Sequence, residues 1–390
     1  MIRLRLSYLC FFVAMASSMP FYALVYQERG LTGSQIGILI ALPPLMTMVG
    51  APLWTAIADA TRQHKAVLLF ATGGAFLGML GIILTPTFAG LFPVVMLYAL
   101  CVAPIMSIID NLVIARLGDR KEAFGRQRII GSAGPAIAGP LVTALVGLFG
   151  LRVPLYTAML SFGLLFFLFQ GMTIRVEKLA GTFGGELRAL LRNPRLRRFL
   201  LVVFLGMTGY SAMIVYLFVR MEELGAPKWL LGFGLTLGTL GEIPFLLGSK
   251  RLLERFGLRA TLLASLVAMI VVLLGISLAG SVAMVLLLQL LHGTAFSGMI
   301  ISGVAYADEV APPGLGATAQ GLFNAVFGGL ALAVGAFASS VIRDRWGSVR
   351  MFQISGLIVL LGLAIFLASL AHQPRQTLKA GSHGYVDSVG

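Results

Sequence analysis

Charged residues are scarce in this 390-residue chain: Asp, Glu, Lys and Arg together account for 11% of it, less than half the roughly 25% found in soluble globular domains. Cysteine occurs twice and histidine four times, without the spacing of zinc ligands. The sequence also lacks a Walker loop and the motifs that surround a catalytic nucleophile. These absences exclude an ATP-driven machine and predict a protein that is not an enzyme and has no cofactor or metal site.

Long hydrophobic runs make up most of the chain instead, and 58% of its residues are hydrophobic. A helix that crosses a bilayer needs about 20 mostly apolar residues, and twelve runs are this long. They are apolar throughout rather than alternating, which favours helices over membrane strands. We therefore predict an all-α, multi-pass membrane protein with twelve transmembrane helices. The predicted spans cover residues 6–26, 36–58, 66–86, 92–115, 128–149, 153–174, 199–221, 229–249, 260–280, 282–306, 317–341 and 349–371.

The net charge of +14 comes from basic residues that are unevenly placed. If the N-terminus lies in the cytoplasm, 22 of the 29 Lys and Arg residues fall on the cytoplasmic side, as the positive-inside rule requires. This distribution accounts for the charge without a nucleic-acid partner and predicts a protein of the cytoplasmic (inner) membrane with both termini in the cytoplasm. The first run is too long for a cleaved signal peptide, so we expect it to be retained. The exceptions are Arg343, Arg345 and Arg350, which lie between the last two runs on the side predicted to be outside.

The two halves of the sequence are weakly similar at an offset of 195 residues. Five pairs correspond at equivalent places in a six-helix unit: Glu28 with Glu223, Gly30 with Gly225, Gly37 with Gly232, Asp59 with Glu254 and Gly134 with Gly329. Parallel six-helix halves are one of the known plans of membrane transporters. We predict a six-helix bundle over residues 1–175, a cytoplasmic linker over 176–198, a second bundle over 199–371 and a disordered cytoplasmic tail over 372–390. The linker contains either a short amphipathic surface helix or a plain solvated tether.

Two short loops carry a family resemblance. Residues 58–65, Ala-Asp-Ala-Thr-Arg-Gln-His-Lys, and residues 253–259, Leu-Glu-Arg-Phe-Gly-Leu-Arg, resemble the Gly-x-x-x-Asp-Arg-x-Gly-Arg/Lys loop of the major facilitator superfamily. The second copy is closer to that pattern, whereas in the first copy Ala and Gln stand where Arg and Gly are usual. In the family, the acid and the bases of this loop form a gate. The resemblance implies gating or charge-pair roles for Asp59, Arg62, Lys65, Glu254, Arg255 and Arg259.

Longer stretches are similar to one branch of that superfamily, the lactose-permease-like and phenylpropionate-permease-like transporters. The matching blocks are residues 104–111 with 124–132, residues 241–244 with 252–257, and residues 289–296 with 319–322. One departure is Ile130, which stands where the branch has Trp before Gly-Ser. The resemblance implies a secondary transporter of two pseudo-symmetric six-helix bundles, with helices 1, 2, 4, 5, 7, 8, 10 and 11 around a central cavity.

The most informative single residue is Glu242, an acid about thirteen residues into an otherwise uncharged run. A carboxylate at membrane depth costs about 3 kcal/mol or more, so its uses are a proton site, an ion site, a substrate contact or a buried pair. Removal from water favours the neutral form of a carboxyl group, which suits a proton carrier. The alternative is an acid that only ties helices together through hydrogen bonds.

His292 lies at a similar depth in the tenth run, with Gln289 one turn away on the same face. A histidine there can relay a proton, bond to a substrate or pair with Glu242, or it is simply a satisfied core residue. Asp110 lies nearer to the cytoplasm in the fourth run, with Arg128 close in sequence. It forms either a salt bridge that fixes a gate, or a coupling site in which it exchanges between Arg128 and a proton. We assign Glu242, His292 and Asp110 to proton coupling, and Arg128 to charge pairing.

Five side chains are candidates for substrate binding: Tyr22, Tyr210, Gln289, Gln320 and Asn324. The two tyrosines hold comparable places in the first and seventh runs, and aromatic lining suits a ring-bearing substrate. Interfacial tyrosine is, however, common in any membrane protein. The two residues of the eleventh run are four apart and share a face, so they either line the cavity or bond to a neighbouring helix.

Together these observations predict a proton symporter that imports a small organic solute by alternating access. The closest resemblance implies an aromatic or other carboxylate, and the wider branch implies a sugar or a nucleoside. A proton-coupled exporter would use the same helices and the same acid, whereas a non-transporting receptor or scaffold would leave the deep polar residues unexplained. The expected partners are the solute, protons and membrane lipids. We expect a monomer, because each half supplies its own packing partners.

Overall fold

The computed structural model describes residues 1–117, 124–172, 190–312 and 315–371, which are helical apart from short connections. The helices are α1 Ile2–Ser18, α2 Tyr22–Glu28, α3 Gly33–Thr61, α4 His64–Leu84, α5 Phe88–Leu117, α6 Phe124–Phe149, α7 Val153–Gln170, α8 Pro194–Glu223, α9 Leu231–Leu247, α10 Ser249–Phe256, α11 Leu258–Leu278, α12 Val282–Val310, α13 Gly316–Ala325 and α14 Ala331–Ala371. A 3-10 turn, Met19–Phe21, continues α1 into α2, and a π-helical segment, Val326–Leu330, continues α13 into α14.

Within the described residues, the predicted apolar runs are helical apart from a few end residues, which confirms the all-α membrane class. Within the described residues, ten helical stretches are long and apolar enough to cross a membrane. The apolar part of α6 is shorter and covers Gly134–Phe149. Two predicted runs share α14, and they are separated at Gly347, whose φ of 77° interrupts the helix and favours glycine. The number of twelve crossings stays a prediction.

Local sequence signals fix where several helices begin. Thr32 and Gln35 form a capping box at the start of α3: the Thr32 Oγ1 accepts from the Gln35 backbone N–H, and the Gln35 Oε1 accepts from the Thr32 N–H. At the start of α8, Asn193 Oδ1 accepts from Arg195 N at 2.9 Å. Pro194 follows at the first helical position, where its missing N–H costs nothing.

The helices form two groups that follow the two halves of the sequence. In the first half, α1 packs on α6 and α7, and α5 packs on α3 and α4. In the second half, α8 packs on α14, and α12 packs on α9 and α11. The main contacts between the halves join α3 to α14 and α6 to α9. Most of the predicted linker, namely residues 176–189, and the predicted tail, residues 372–390, lie outside the described residues, so their boundaries stay predictions.

Small residues allow the two halves to meet closely. A Cβ atom on Gly232 would overlap the carbonyl group of Gly139, and one on Gly37 would lie 2.8 Å from the Ser340 Cβ. Glycines at such crossings let helix backbones approach each other. These contacts lie toward the end of the molecule that carries the turns at Gly225 and Gly347, which we call the Gly225 end. The opposite end, at which α7 and α8 are joined in sequence, is the linker end.

Of the three arginines between the last two predicted spans, Arg343 has a local explanation. The Arg343 Nη2 lies 3.1 Å from Glu223 Oε1 at the Gly225 end. The same Glu223 oxygen accepts a hydrogen bond of 2.6 Å from Ser348 Oγ, and the Arg343 guanidinium lies 5.1 Å from the centroid of the Tyr216 ring. Pairing with an acid and an aromatic ring therefore accounts for a base on the side where bases are otherwise few.

Candidate functional site

A cavity of about 340 Å³ lies between the two halves. The first half contributes α1, the turn after it and α6, and the second half contributes α8, α9 and α12. Polar lining groups are Tyr210, Thr239, Glu242, Gln289 and His292. The remaining lining residues are Phe12, Met15, Ala16, Met19, Pro20, Pro135, Met213, Ile214, Leu217, Phe218, Gly234, Leu235, Gly238 and Phe296. The cavity is thus a mostly apolar chamber with a small polar cluster on one wall.

Tyr210 and His292 form the centre of the polar cluster. The Tyr210 hydroxyl is hydrogen-bonded to Nε2 of His292, and the two rings are stacked with their centroids 5.2 Å apart. The other ring nitrogen, Nδ1, is buried and has no hydrogen-bond partner among the described residues. It faces Gly238, where a Cβ would lie 3.2 Å away. A buried polar atom without a partner is costly, and Nδ1 is covered by the α9 backbone rather than open to the cavity.

Glu242 lies on α9 in the wall of the same cavity. Its carboxyl group is close enough to interact electrostatically with the Tyr210 hydroxyl. Among the described residues, no Lys, Arg or His lies within 4.0 Å of it to form an ion pair. The acid is half-buried, so it borders both protein and the open volume of the cavity.

Close helix packing brings Glu242 and His292 to the same cavity. A Cβ on Gly241 would overlap the Leu290 carbonyl oxygen, and a Cβ on Gly293 would overlap the Gly238 carbonyl oxygen. The backbones of α9 and α12 are therefore in direct contact next to both functional residues. Any larger side chain at these glycines would force the two helices apart.

Gln289 is the fourth predicted residue in the cavity. It lies one turn before His292 on α12, is 1% exposed and directs its Nε2 toward Met213 Sδ at 3.9 Å. An amide can both donate and accept hydrogen bonds, and Met213 is a weak acceptor that satisfies little of that capacity. Gln289 can therefore exchange this contact for a bond to a solute.

Two predicted residues of the first half lie in its helix packing instead. Asp110 Oδ1 accepts a hydrogen bond of 2.6 Å from the Tyr8 hydroxyl, which joins α5 to α1. Tyr22 is buried; its hydroxyl donates to the Tyr98 hydroxyl at 3.3 Å, and its ring stacks on Tyr26. Neither lines the central cavity, so their proposed roles stay predictions.

The two candidates of the eleventh predicted span also lie away from the cavity lining. Gln320 donates from Nε2 to Asp308 Oδ1 at 3.4 Å, a bond between α13 and the end of α12. Asn324 is exposed one turn further along α13. Of the two readings given above, the bond to a neighbouring helix describes Gln320.

The predicted loop charges are found at the linker end, in part with partners. Lys65 Nζ donates to the Gln170 carbonyl oxygen at 2.8 Å, and Arg259 Nη2 lies 4.0 Å from Glu309 Oε1. Exposed Arg62 ends α3 in the left-handed region, with φ 56°. Glu254 is exposed on α10, and the Arg255 guanidinium lies over the Phe256 ring. The side chains of Asp59 and Arg128 lie outside the described part of the chain.

Sequence reasoning missed most of the apolar lining. Helical spacing could have identified two lining residues. Thr239 lies three residues before Glu242, and Phe296 lies four residues after His292, on the same helix faces. Phe12 and Met15 had no such signal, since an apolar side chain in an apolar span does not reveal which way it faces. The first half's contribution to the cavity is visible only in the folded protein.

The polar wall between the two halves agrees with the comparison to known families. The MFS_1 like family model matches residues 1–354. The chain belongs to the MFS_1 like family. This membership confirms the resemblance to the major facilitator superfamily that the loop motifs indicated, and with it a membrane transporter rather than an enzyme.

Relatives of this family member transport small solutes, according to their names. Maltose permease of Geobacillus stearothermophilus is 27% identical over 372 residues, which cover 92% of this chain and 93% of that protein. Xanthosine permease of Escherichia coli (strain K12) is 28% identical over 213 residues, 49% of each chain. The crystal structure of the nucleoside transporter NupG superposes with a TM-score of 0.86 at 18% identity, covering 95% of this chain and 99% of that one. The protein is therefore a secondary transporter of a small solute.

Proposed function

We propose that this transporter is a proton symporter that imports a small organic solute by alternating access. The observation that carries the proposal is Glu242, an acid in the cavity wall beside the Tyr210–His292 pair without a described basic side chain within 4.0 Å. A permanent cationic partner would hold such an acid ionised. Without one, Glu242 can gain and lose a proton as the cavity opens to water on either side of the membrane.

The proposed cycle uses the polar wall in two steps. Glu242 first takes a proton from the outside, which removes a negative charge from a chamber lined mainly by apolar side chains. The solute then binds against the cavity wall that contains His292 and the Gln289 amide. After the halves rock, solute and proton leave on the inside. Each positive charge that crosses gains about 2.3 kcal/mol per 100 mV of membrane potential, enough to concentrate a neutral solute.

The placement of charge and contacts supports an orientation of the transporter in the membrane and a conformational state. The linker end carries most of the basic residues, which supports a cytoplasmic location for it in the inner membrane. The halves meet through glycine contacts toward the Gly225 end, which supports a conformation closed to the outside. Each half packs within itself, in keeping with a monomer.

The lining favours some of the relatives' solutes over others. Among the described residues, five polar side chains line the cavity, and they lie beside Phe296, Phe12 and several methionines. A disaccharide carries hydroxyl groups over its whole surface, and most of them would be unpaired against this lining. A solute with one apolar ring and few polar groups, such as a nucleoside or an aromatic acid, would leave fewer groups unpaired.

Proton movement in proteoliposomes tests the proposal. We expect solute-triggered acidification of an internal pH dye when nucleosides or phenylpropionate-like acids are added, and a weaker response to maltose. Glu242→Gln should abolish acidification while it preserves shape and hydrogen-bonding capacity. Glu309→Gln is the matched control, since this exposed acid lies at the linker end on α12 and should not affect proton uptake.

Each alternative gives its own result in this assay. Full proton-driven accumulation by Glu242→Gln would refute the role of Glu242. Loss of a preloaded solute in exchange for protons, without uptake, would instead identify an exporter. A non-transporting receptor or scaffold would be favoured if the folded protein moved neither protons nor any solute and if Glu242→Gln and His292→Asn left its stability unchanged.

A further inference from the structure

A second cavity lies on the face of the second half that points away from the central chamber. It has a volume of about 500 Å³ and runs between α9, α10, α11 and α12 near the linker end. Ala260, Ala264 and Ala268 recur at one helical turn on α11 and leave the space open. On the other sides the walls are Phe245, Leu252, Phe256 and Leu291. The groove is therefore bounded by apolar side chains on every helix that forms it.

The few hydroxyl groups in this groove are already satisfied. Thr261 Oγ1 donates to the Gly257 carbonyl oxygen at 2.9 Å, and Ser265 Oγ donates to the Thr261 carbonyl oxygen at 2.8 Å. Thr294 donates to the Leu291 carbonyl oxygen within its own helix at 2.7 Å. With these donors engaged, the groove suits a hydrocarbon chain better than a polar ligand.

Basic residues directly precede three residues that line the groove. On α10, Leu252 and Phe256 line the groove, while Arg251 and Arg255 lie one turn apart and are exposed. The Arg255 guanidinium lies 5.4 Å from the centroid of the Phe256 ring, which keeps a positive charge at the groove's edge. Arg259 is also exposed and is only partly offset by Glu309 at 4.0 Å.

We propose that this groove binds an anionic phospholipid, with an acyl chain along the alanines of α11 and the headgroup phosphate between Arg251 and Arg255. Charge complementarity decides the occupant: an apolar groove that ends at a basic, interfacial helix matches an amphiphile with a negative head. A zwitterionic lipid would fill the same groove but gain less from the arginines. The proposal rests on the chain being a membrane protein and does not rest on proton coupling.

The position of the lipid connects it to the central cavity. Phe245 is one turn from Glu242 on α9, and Leu291 precedes His292 on α12. The groove and the chamber therefore lie on two sides of the same pair of helices. An acyl chain against Phe245 and Leu291 supports the packing that holds the polar wall in place.

Thermal unfolding of the delipidated full-length protein tests the proposal directly. Phosphatidylglycerol and phosphatidylcholine with identical acyl chains are added in detergent, and the apparent affinity is read from the rise in melting temperature. We expect tighter binding of phosphatidylglycerol. The double variant Arg251→Gln/Arg255→Gln should weaken it about 25-fold, because each basic residue near an anionic headgroup contributes a factor of about five. Its response to phosphatidylcholine should not change.

The controls separate the head, the chain and the overall charge. Arg345→Gln/Arg350→Gln removes the same charge from exposed positions at the Gly225 end and should keep the preference for phosphatidylglycerol. Ala264→Leu narrows the groove and should weaken both lipids, and glycerol 3-phosphate, which has no acyl chain, should not stabilise the protein. Equal affinity for the two lipids in the wild type, an unchanged preference in Arg251→Gln/Arg255→Gln, or equal stabilisation by glycerol 3-phosphate would overturn the proposal.

Discussion

The hydrogen bond between Tyr210 and His292 gives a sharp test of whether the cavity is a working site. Tyr210→Phe keeps the ring that stacks on the histidine and removes only the hydroxyl. Hydrogen bonds between membrane helices contribute about 0.6 kcal/mol on average and up to about 1.7 kcal/mol. Since the variant also leaves Nε2 of a half-buried histidine without its partner, we expect the free energy of unfolding to fall by roughly 1–2 kcal/mol.

A matched control lies on the same helix. Tyr216 is fully buried on α8, and its hydroxyl donates to Ser340 Oγ at 2.8 Å, outside the central cavity. Tyr216→Phe therefore removes the same atom and a comparable hydrogen bond. Both variants should lose similar stability, measured by fluorescence-monitored unfolding in detergent. Only Tyr210→Phe should impair transport. Its apparent affinity for the solute should fall about tenfold if about 1.4 kcal/mol of solute binding depends on the orientation of His292.

One outcome would refute a role for the Tyr210–His292 hydrogen bond in transport. If both tyrosine variants unfold as expected and transport at the same rate and affinity as the wild type, the Tyr210–His292 bond only holds α8 to α12. The cavity would then be a packing defect between helices rather than a binding site. A loss of transport in both variants would instead indicate that α8 rigidity, not the site, limits the rate.

Two further substitutions test the helix packing beside Glu242 and the charge pair at the Gly225 end. Gly241→Ala should lower stability by about 1–3 kcal/mol through overpacking and should reduce transport, because α9 and α12 touch at this glycine. Gly147→Ala is the control: the position has open space around it, so neither stability nor transport should change. Arg343→Gln should lower stability by up to about 1 kcal/mol, since the pair with Glu223 is partly exposed, whereas exposed Arg345→Gln should leave the melting temperature unchanged. A similar loss in each variant and its control would refute the corresponding contact.

The sequence predicted how deep in the membrane a residue lies along its helix better than it predicted which side of the helix the residue faces. Glu242 and His292 were expected at similar depth, and both line the cavity. Tyr22 was expected at a depth comparable to Tyr210, yet it faces the interior of the first half and bonds to Tyr98. Depth follows from counting residues from the end of an apolar run. Rotation depends on which neighbour each face contacts, and a span that is apolar on all sides carries no signal for that.

The same limit explains the outcome for Asp110 and Gln320. Both are polar residues in apolar spans, and such residues face the protein interior. The interior, however, includes contacts between helices as well as the cavity: Asp110 bonds to Tyr8 and Gln320 to Asp308. The sequence could state that each of these groups needs a partner, but only packing decides whether the partner is a side chain or a solute.

The two halves contribute unequally to the chamber, although their folds are related. Among the described lining residues, every polar side chain comes from α8, α9 or α12, whereas α1 and α6 contribute Phe12, Met15, Pro135 and other apolar groups. In the proposed cycle this chamber separates two tasks: the second half would hold the proton and the polar atoms of the solute, and the first half would supply a hydrophobic face that closes over it. Phe12→Ala should therefore weaken solute affinity while each transported solute still brings its proton. Glu242→Gln should have the opposite effect, with solute binding retained and proton movement lost. Measuring binding and proton flux on both variants would separate the tasks; if Phe12→Ala uncoupled protons from solute, the first half would have a part in coupling that its apolar lining does not account for.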